Sequence, residues 1–279
     1  MKTIKTIFIL CVALCLASSC KKEVDMTFMQ KTVLENADIR QIEVSDAWTV
    51  TVIADSCSYV ELEYSAYLEP GLNVRMEGSK LEIGFTGNVH PVINSVFRAR
   101  VHTNKIERIE AEDAAQMIFV GQYSATSDTL HVELDDASIC TSLNYSGHVC
   151  EISIENASQF LDFNLSGYNC EVSAREASSC KGIFDMSSHL VANLSGASQL
   201  VTFGGAAPYG MIKLQDASLL NIVQTQVREI RVDLSGASEA TVNVLDHMEG
   251  TLTEASTLYY KGHPQIDVNC SDDSQLIPF

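Results

Sequence analysis

Cations are scarce in this chain of 279 residues. Lysine and arginine number 18 against 36 aspartates and glutamates, a formal charge of −18. Such a surface repels nucleic acid and anionic headgroups, so no nucleic-acid partner is expected. Long apolar runs are also lacking. After residue 17 no stretch approaches the ~20 apolar residues of a spanning helix, and no transmembrane helix is expected in the mature chain. The usual chemical signatures are missing too. There is no Cys-x-x-Cys, no His-x-x-x-His, no Gly-Lys-Ser/Thr loop and no nucleophile elbow. The expectation is therefore no metal, no cofactor and no catalytic serine. No segment carries the 3.6-residue apolar period of an amphipathic helix.

What is present begins at the amino terminus. Lys2 and Lys5 precede an apolar stretch from Ile7 to Ala17, about the length of a signal-peptide core. Ala17-Ser18-Ser19-Cys20, followed by Lys21-Lys22, resembles the lipobox of bacterial lipoproteins. The resemblance implies cleavage before Cys20 and a lipid on its sulfur. Ordinary secretory cleavage after Ser19 is the rival reading. Residues 1–19 are read as a lipoprotein signal peptide and 20–37 as a tether. The implied location is the outer membrane or cell surface, held by a lipid anchor on Cys20. Without residues 1–19 the chain keeps 16 cations against 36 acids, a formal −20.

The main body is periodic. Ala137-Ser138, Ala157-Ser158, Ala177-Ser178, Ala197-Ser198, Ala217-Ser218 and Ala237-Ser238 recur every 20 residues, and Ala255-Ser256 follows after 18. A fixed period of this kind marks a repeat architecture. Three residues before the alanines stand Leu134, Ile154, Ala174, Leu194, Leu214, Leu234 and Leu252, and five before stand Val132, Ile152, Val172, Ala192, Ile212, Val232 and Gly250. Alternation with polar residues gives period 2, the pattern of half-buried strands. Second turn signals occur at Ser146-Gly147, Ser166-Gly167, Ser187-Ser188 and Gly204-Gly205. Each copy reads as strand, turn, strand, turn, and returns the chain to its start one strand spacing higher. The expected fold is all-β: a single-stranded parallel β-helix (β-solenoid) of about 20 residues per coil, with residues 105–279 as its repeats. At the corner the alanine is expected to face inward, where a larger side chain would not fit. The serine is expected to bond to backbone or to the next serine, as a structural ladder.

Before the repeat, residues 38–104 alternate as well. Trp48, Val50 and Val52 share a face, and so do Val60, Leu62 and Tyr64. Leu72, Val74 and Met76 lead through Glu77-Gly78-Ser79-Lys80 to Leu81, Ile83 and Phe85, the pattern of a hairpin. These strands are expected to pack on the solenoid or continue it, within the same domain. Ile42-Glu43-Val44, Val50-Thr51-Val52, Lys80-Leu81-Glu82-Ile83, the strand around Val101 and the Leu-Ser-Gly-Ala-Ser repeats together resemble the head GIN domain family of putative autotransporter adhesins, common among Bacteroidetes lipoproteins. The resemblance spans about residues 38–279. It implies a β-solenoid and a secreted or envelope location, and brings no catalytic residues.

Some residues invite chemistry. Asp135, Asp136, Asp162 and Asp185 are the only carboxylates suggestive of a polysaccharide lyase or hydrolase, and they fall on different turns. Cys150 and Cys170 lie one coil apart in an apolar column, where a disulfide or two buried thiols are both open. Cys140 and Cys180 are two coils apart, too far to bond. Asp128-Thr129-Leu130 matches an O-glycosylation acceptor pattern of Bacteroidetes, which makes Thr129 a candidate acceptor. Tyr123, Tyr145, Tyr168 and Tyr209 fall near the second turn, as core, cap or exposed rings. The expected function is a non-catalytic binding or adhesion module with a glycan or protein ligand. A carbohydrate-active enzyme and a purely structural envelope protein are the alternatives. The anchor has a direct test. Cells fed a tagged fatty acid should label the wild-type protein and not Cys20→Ala; equal labelling, or none in either, would remove the lipid.

Overall fold

The computed structural model describes residues 24–87, 89, 91–125 and 127–279. Cys20 and the signal peptide lie outside the described residues, as does His90. The described chain is nearly all β, a solenoid of about eight turns with roughly 20 residues per turn and additional strands at its amino-terminal end.

The regular coils follow directly from the 20-residue period. In one coil three short strands, β12 (Ile139–Thr141), β13 (Asn144–Ser146) and β14 (Val149–Ile154), run between breaks at 142–143 and 147–148. The next four coils are single extended runs, β15 (Gln159–Ala174), β16 (Ser179–Leu194), β17 (Gln199–Leu214) and β18 (Leu219–Leu234). In β15 the bends persist as register shifts at Leu161/Phe163 and Gly167/Asn169 against β16. All pairs are parallel, and in the strands flanking the corner each residue meets its counterpart 20 positions on: Cys150 faces Cys170, and Ile152 faces Val172. The apolar columns point into one continuous core, in which Leu134, Ile154, Leu194, Leu214 and Leu234 are at most 2% exposed.

The corners decide the repeat, and they correct one expectation. The alanines do not face inward. All seven are exposed, and their φ angles lie between 57° and 64°. The residue before each is left-handed too: Asp136 at 49°, Asn156 at 51°, Gly196 at 64°. Two successive positive φ values inside a four-residue turn make a type I′ turn, closed where the Ser138 N–H donates to the Asp135 carbonyl at 3.1 Å. Glycine, asparagine and aspartate take this geometry readily. At Gly196 a Cβ would also lie 2.9 Å from the Glu176 nitrogen. Alanine takes the next position because its side chain is small and turned to solvent. The serine is the inward residue. All seven are at most 1% exposed, and the Oγ of Ser178, Ser198, Ser218, Ser238 and Ser256 donates to the carbonyl three residues back, at 2.6–2.8 Å. Each corner alanine N–H donates to the next coil, as from Ala197 to Asp216 O at 2.8 Å.

The same corner occurs earlier, as Asp46-Ala47-Trp48 and Asp113-Ala114-Ala115, with φ angles of 57° and 58°, then 53° and 60°. The first coil is therefore β2 (Gln41–Val44) and β3 (Thr49–Ile53), stacked in parallel on β8 (Arg108–Ala111) and β9 (Gln116–Val120). Between these coils the chain leaves to build a cap. β4 (Tyr59–Ser65), a 3-10 turn at Ala66–Gly71, the hairpin β5 (Leu72–Glu77)/β6 (Lys80–Phe85) and β7 (Phe97–His102) cover the amino-terminal end of the first coil. Trp48 fills the serine position of its corner, wholly buried against Phe85 and Phe97.

One further expectation changes, and one left open is decided. Residues 20–37 are not all tether, because Phe28–Val33 forms β1, antiparallel to β4. Its Met29 and Val33 pack on the core beside Tyr64 and Val60. Cys150 and Cys170 are register partners, yet both are free buried thiols. Parallel stacking holds neighbouring Cβ atoms near the ~4.8 Å strand spacing, wider than the ~3.8 Å a disulfide requires. Burial pushes the Cys150 thiol up to about 12, so it packs as a small apolar group. Cys140 and Cys180 are held apart by Phe160, the register partner of both.

Inward serine and outward alanine give opposite predictions at adjacent residues. Ser198→Val strands the Ser195 carbonyl and should cost about 1–3 kcal/mol. Ala197→Gly relieves a left-handed alanine and should gain about 0.5–1 kcal/mol. Thermal or denaturant melts check both, and losses at both positions would contradict this corner.

Candidate functional site

The strands that precede the corners form one continuous surface. On it, outward residues recur in three files. Stacking in register sets each residue beside its own counterpart, so like charges must be interrupted or bridged. Near the amino-terminal end one file contains four successive glutamates, Glu82, Glu43, Glu110 and Glu133. Cations bridge them, Lys80 and Arg108 from the neighbouring file and Arg75 as the register partner of Glu82. Lys80 lies 2.6 Å from Glu43 and 3.4 Å from Glu82, Arg75 lies 2.6 Å from Glu82, and Arg108 pairs with both Glu110 and Glu133. The hydrogen bond from Arg75 holds the Glu82 carboxyl below its ordinary range, although burial opposes it.

Beyond Glu133 this file becomes small and neutral, at Ser153 and Ser173. The flanking files keep long side chains, Glu151 and Glu171 on one side, Glu155 and Arg175 on the other. Small residues between long ones make a trough. Three shallow depressions run together from β2 to β17: the first two share Arg108, Glu133 and Ser153, and the second shares Glu171 and Ser173 with the third. These seven strands span roughly 29 Å. Among the described residues the lining includes eight carboxylates and three cations, Arg108, Arg175 and Lys213. Several acids are tied down: His131 Nδ1 lies 3.0 Å from Glu151, Arg175 lies 3.3 Å from Glu155, and the Asn156 amide donates to Asp135 at 2.7 Å. Glu112 has no such relief. Burial raises its carboxyl above the ordinary range, and Asp113, Glu43, Asp136 and Asp135 raise it further.

The four suggestive aspartates do not form one constellation. Asp135 and Asp136 occupy a corner, where the Asp136 N–H donates to Asp135 Oδ1 at 2.8 Å. Asp162 sits on a bend with a φ of 54°. Asp185 lies on β16 beside Ser166 and Ala206, and among the described residues no ion pair or hydrogen bond joins Asp162 or Asp185 to that corner or to each other. Thr129 opens β11 (Thr129–Leu134) and is half-buried, with its carbonyl accepting from Ser127 Oγ at 2.8 Å. Tyr123 and Tyr145 are core residues. Tyr168 and Tyr209 are exposed on a ridge beside the trough, stacked on His148 and His189 at 5.2 and 5.1 Å. Each stack uses one face of each ring. Sequence reasoning did not single out Ser153, Ser173 or Arg108. The signal was the column four residues before the corner alanine, where glutamate gives way to serine.

Glu112 supplies a pH test of the trough's charge. Its folded-state carboxyl is raised, so between the ordinary and the raised value the folded protein binds more protons than the unfolded chain. Its contribution to stability therefore falls as pH rises through that window, and its ionised form is a net cost at neutral pH. The side chain is exposed and solvent screens it, so Glu112→Gln should raise the melting temperature by at most about 1 °C at pH 7. The gain should vanish in acid, where Glu112 is already protonated. A gain that grows toward low pH would contradict the sign.

Residues 38–264 match the family described as "Putative auto-transporter adhesin, head GIN domain". No curated protein matches the chain. Solved structures share the fold at low identity. A "putative adhesin" from Parabacteroides merdae ATCC 43184 is 14% identical, with a TM-score of 0.70 over 91% of this chain and 96% of its own. A "putative lipid binding protein" from Parabacteroides distasonis ATCC 8503 is 12% identical, with a TM-score of 0.67 over 92% and 98%. A "putative adhesin" from the same strain is 15% identical, with a TM-score of 0.63 over 91% and 98%. From its second strand to beyond its last long coil, this chain belongs to the family described as "Putative auto-transporter adhesin, head GIN domain".

Proposed function

We propose that the protein is a non-catalytic adhesion module of the cell envelope, exported and held by a lipid on Cys20, that binds an extended partner along the trough. The observation that carries the reading is the continuity of the three depressions along one rigid face. Stacked coils fix the side chains at a regular spacing before any partner arrives, so many weak contacts add with little ordering cost. Family membership supports an adhesive role at the surface or outside the cell. The separation of Asp135, Asp136, Asp162 and Asp185 favours binding over glycan cleavage. The acid-rich lining fits a partner that offers hydroxyls or cations, such as a neutral glycan or a basic protein segment.

Glycan and protein arrays probed with residues 20–279 test this, with bound material checked by mass spectrometry for cleavage. Saturable binding without turnover is expected. Ser173→Trp fills the floor of the trough with an outward side chain and should weaken binding about tenfold or more at an unchanged melting temperature. Binding indifferent to Ser173→Trp would remove the trough, and turnover lost in Asp135→Asn would make the protein an enzyme.

A further inference from the structure

Exposed large apolar side chains are unevenly placed. Val24, Met26 and Phe28 alternate along the first described residues, with Phe28 50% exposed. Val92 and Ile93 stand on the loop before β7, with Ile93 89% exposed. Hydrogen bonds join these two segments into one surface. The Tyr67 N–H donates to the Asp25 carbonyl at 3.2 Å, and the Ala66 N–H donates to Thr27 O at 2.8 Å. The other end of Tyr67 reaches the loop, where its hydroxyl accepts from the Val92 N–H at 2.8 Å and lies 2.5 Å from Ser95 Oγ. One tyrosine thus spans the patch.

The loop is built to hold its tip outward. The Ser95 N–H donates to Val92 O at 3.0 Å, and Ser95 Oγ donates to the same carbonyl at 2.6 Å. Asn94 takes a φ of 70°, as the third residue of a tight turn. The Val96 N–H donates to Ser65 Oγ at 3.0 Å, tying the loop base to the end of β4. A braced turn that presents an isoleucine to water gains nothing from it in the isolated protein.

The position of the patch identifies its occupant. Strands follow one another along the axis from β1 through β4, β7 and β3 to the last coil, so β1 is the outermost strand at the amino-terminal end. Val24 is four residues from Cys20, a reach of at most about 14 Å. We propose that this apolar patch is a membrane-docking surface, with Ile93, Val92, Phe28, Met26 and Val24 seated in the lipid interface beside the acylated Cys20. The proposal rests on the lipoprotein reading above. A lipid anchor tethers the chain without fixing its orientation, and interfacial apolar side chains add attachment and set how the domain sits on the membrane. The rod then stands on its capped end and projects its opposite end roughly 58 Å away.

The test uses the full lipidated protein in phosphatidylcholine vesicles, with Cys57→Ser and Cys270→Ser removing the exposed thiols. A polarity-sensitive fluorophore is attached at Ile93→Cys or, as the distant control, at Asn269→Cys. A tagged fatty acid reports the anchor separately. With brominated lipid, the probe at position 93 should shift blue and lose about half its emission or more, and the probe at 269 should do neither. A labelled, vesicle-bound protein whose position-93 probe stays aqueous would overturn the docking surface and leave the lipoprotein reading standing. Absence of the fatty-acid label would overturn both. A blue shift without vesicles that grows with protein concentration would assign the patch to a second copy of the chain and also overturn the proposal.

Discussion

In-register stacking governs this molecule. In the strands flanking the corners each residue lies about 4.8 Å from its counterpart in the next coil, so every choice of side chain there must tolerate its own repetition. Apolar residues tolerate it well and form the continuous core. Small hydroxyls tolerate it when each has its own acceptor, as the corner serines do in donating to the carbonyl three residues back. Left-handed corners tolerate it because the alanine N–H of one coil donates to the corner of the next. Carboxylates tolerate it least, and the ion pairs of Lys80 and Arg108 sit where glutamates adjoin.

The same constraint shapes the trough. A file that cannot carry unbroken charge alternates between bridged acids and small neutral residues. Between files of longer side chains, the neutral stretch at Ser153 and Ser173 becomes a floor. The trough is thus a by-product of repetition as much as a separate construction. Its acidity follows from a chain with twice as many acids as cations.

The two ends of the rod are managed differently. At the amino-terminal end the antiparallel strands β4 and β1, the 3-10 turn and the β5/β6 hairpin close the core, with Leu68 and Trp48 wholly buried. At the other end, among the described residues, no further strand stacks on Gln265–Cys270. Ile266 and Cys270 continue columns that are buried in earlier coils, yet they are exposed. Polarity along the axis is therefore built in.

The sequence by itself determined the solenoid. A 20-residue period in Ala-Ser, with alternating apolar columns, admits few other folds, since one coil cannot bury its own face. It also determined the hairpin at 72–85 and the family. It did not determine which way the corner residues point. Alanine and serine are adjacent and both small, and only the two successive positive φ angles turn one outward and the other inward. Nor did it place the Asp46-Ala47-Trp48 corner in the same series, because some sixty residues of cap separate it from the next and a tryptophan stands at the serine position. The strand within residues 28–33 was equally hidden, since its partner is nonlocal and antiparallel. Tertiary structure alone made the trough, because a groove depends on which files lie side by side. It also brought Tyr67 between residue 25 and the loop at 92–95, joining segments about 65 residues apart into one apolar surface.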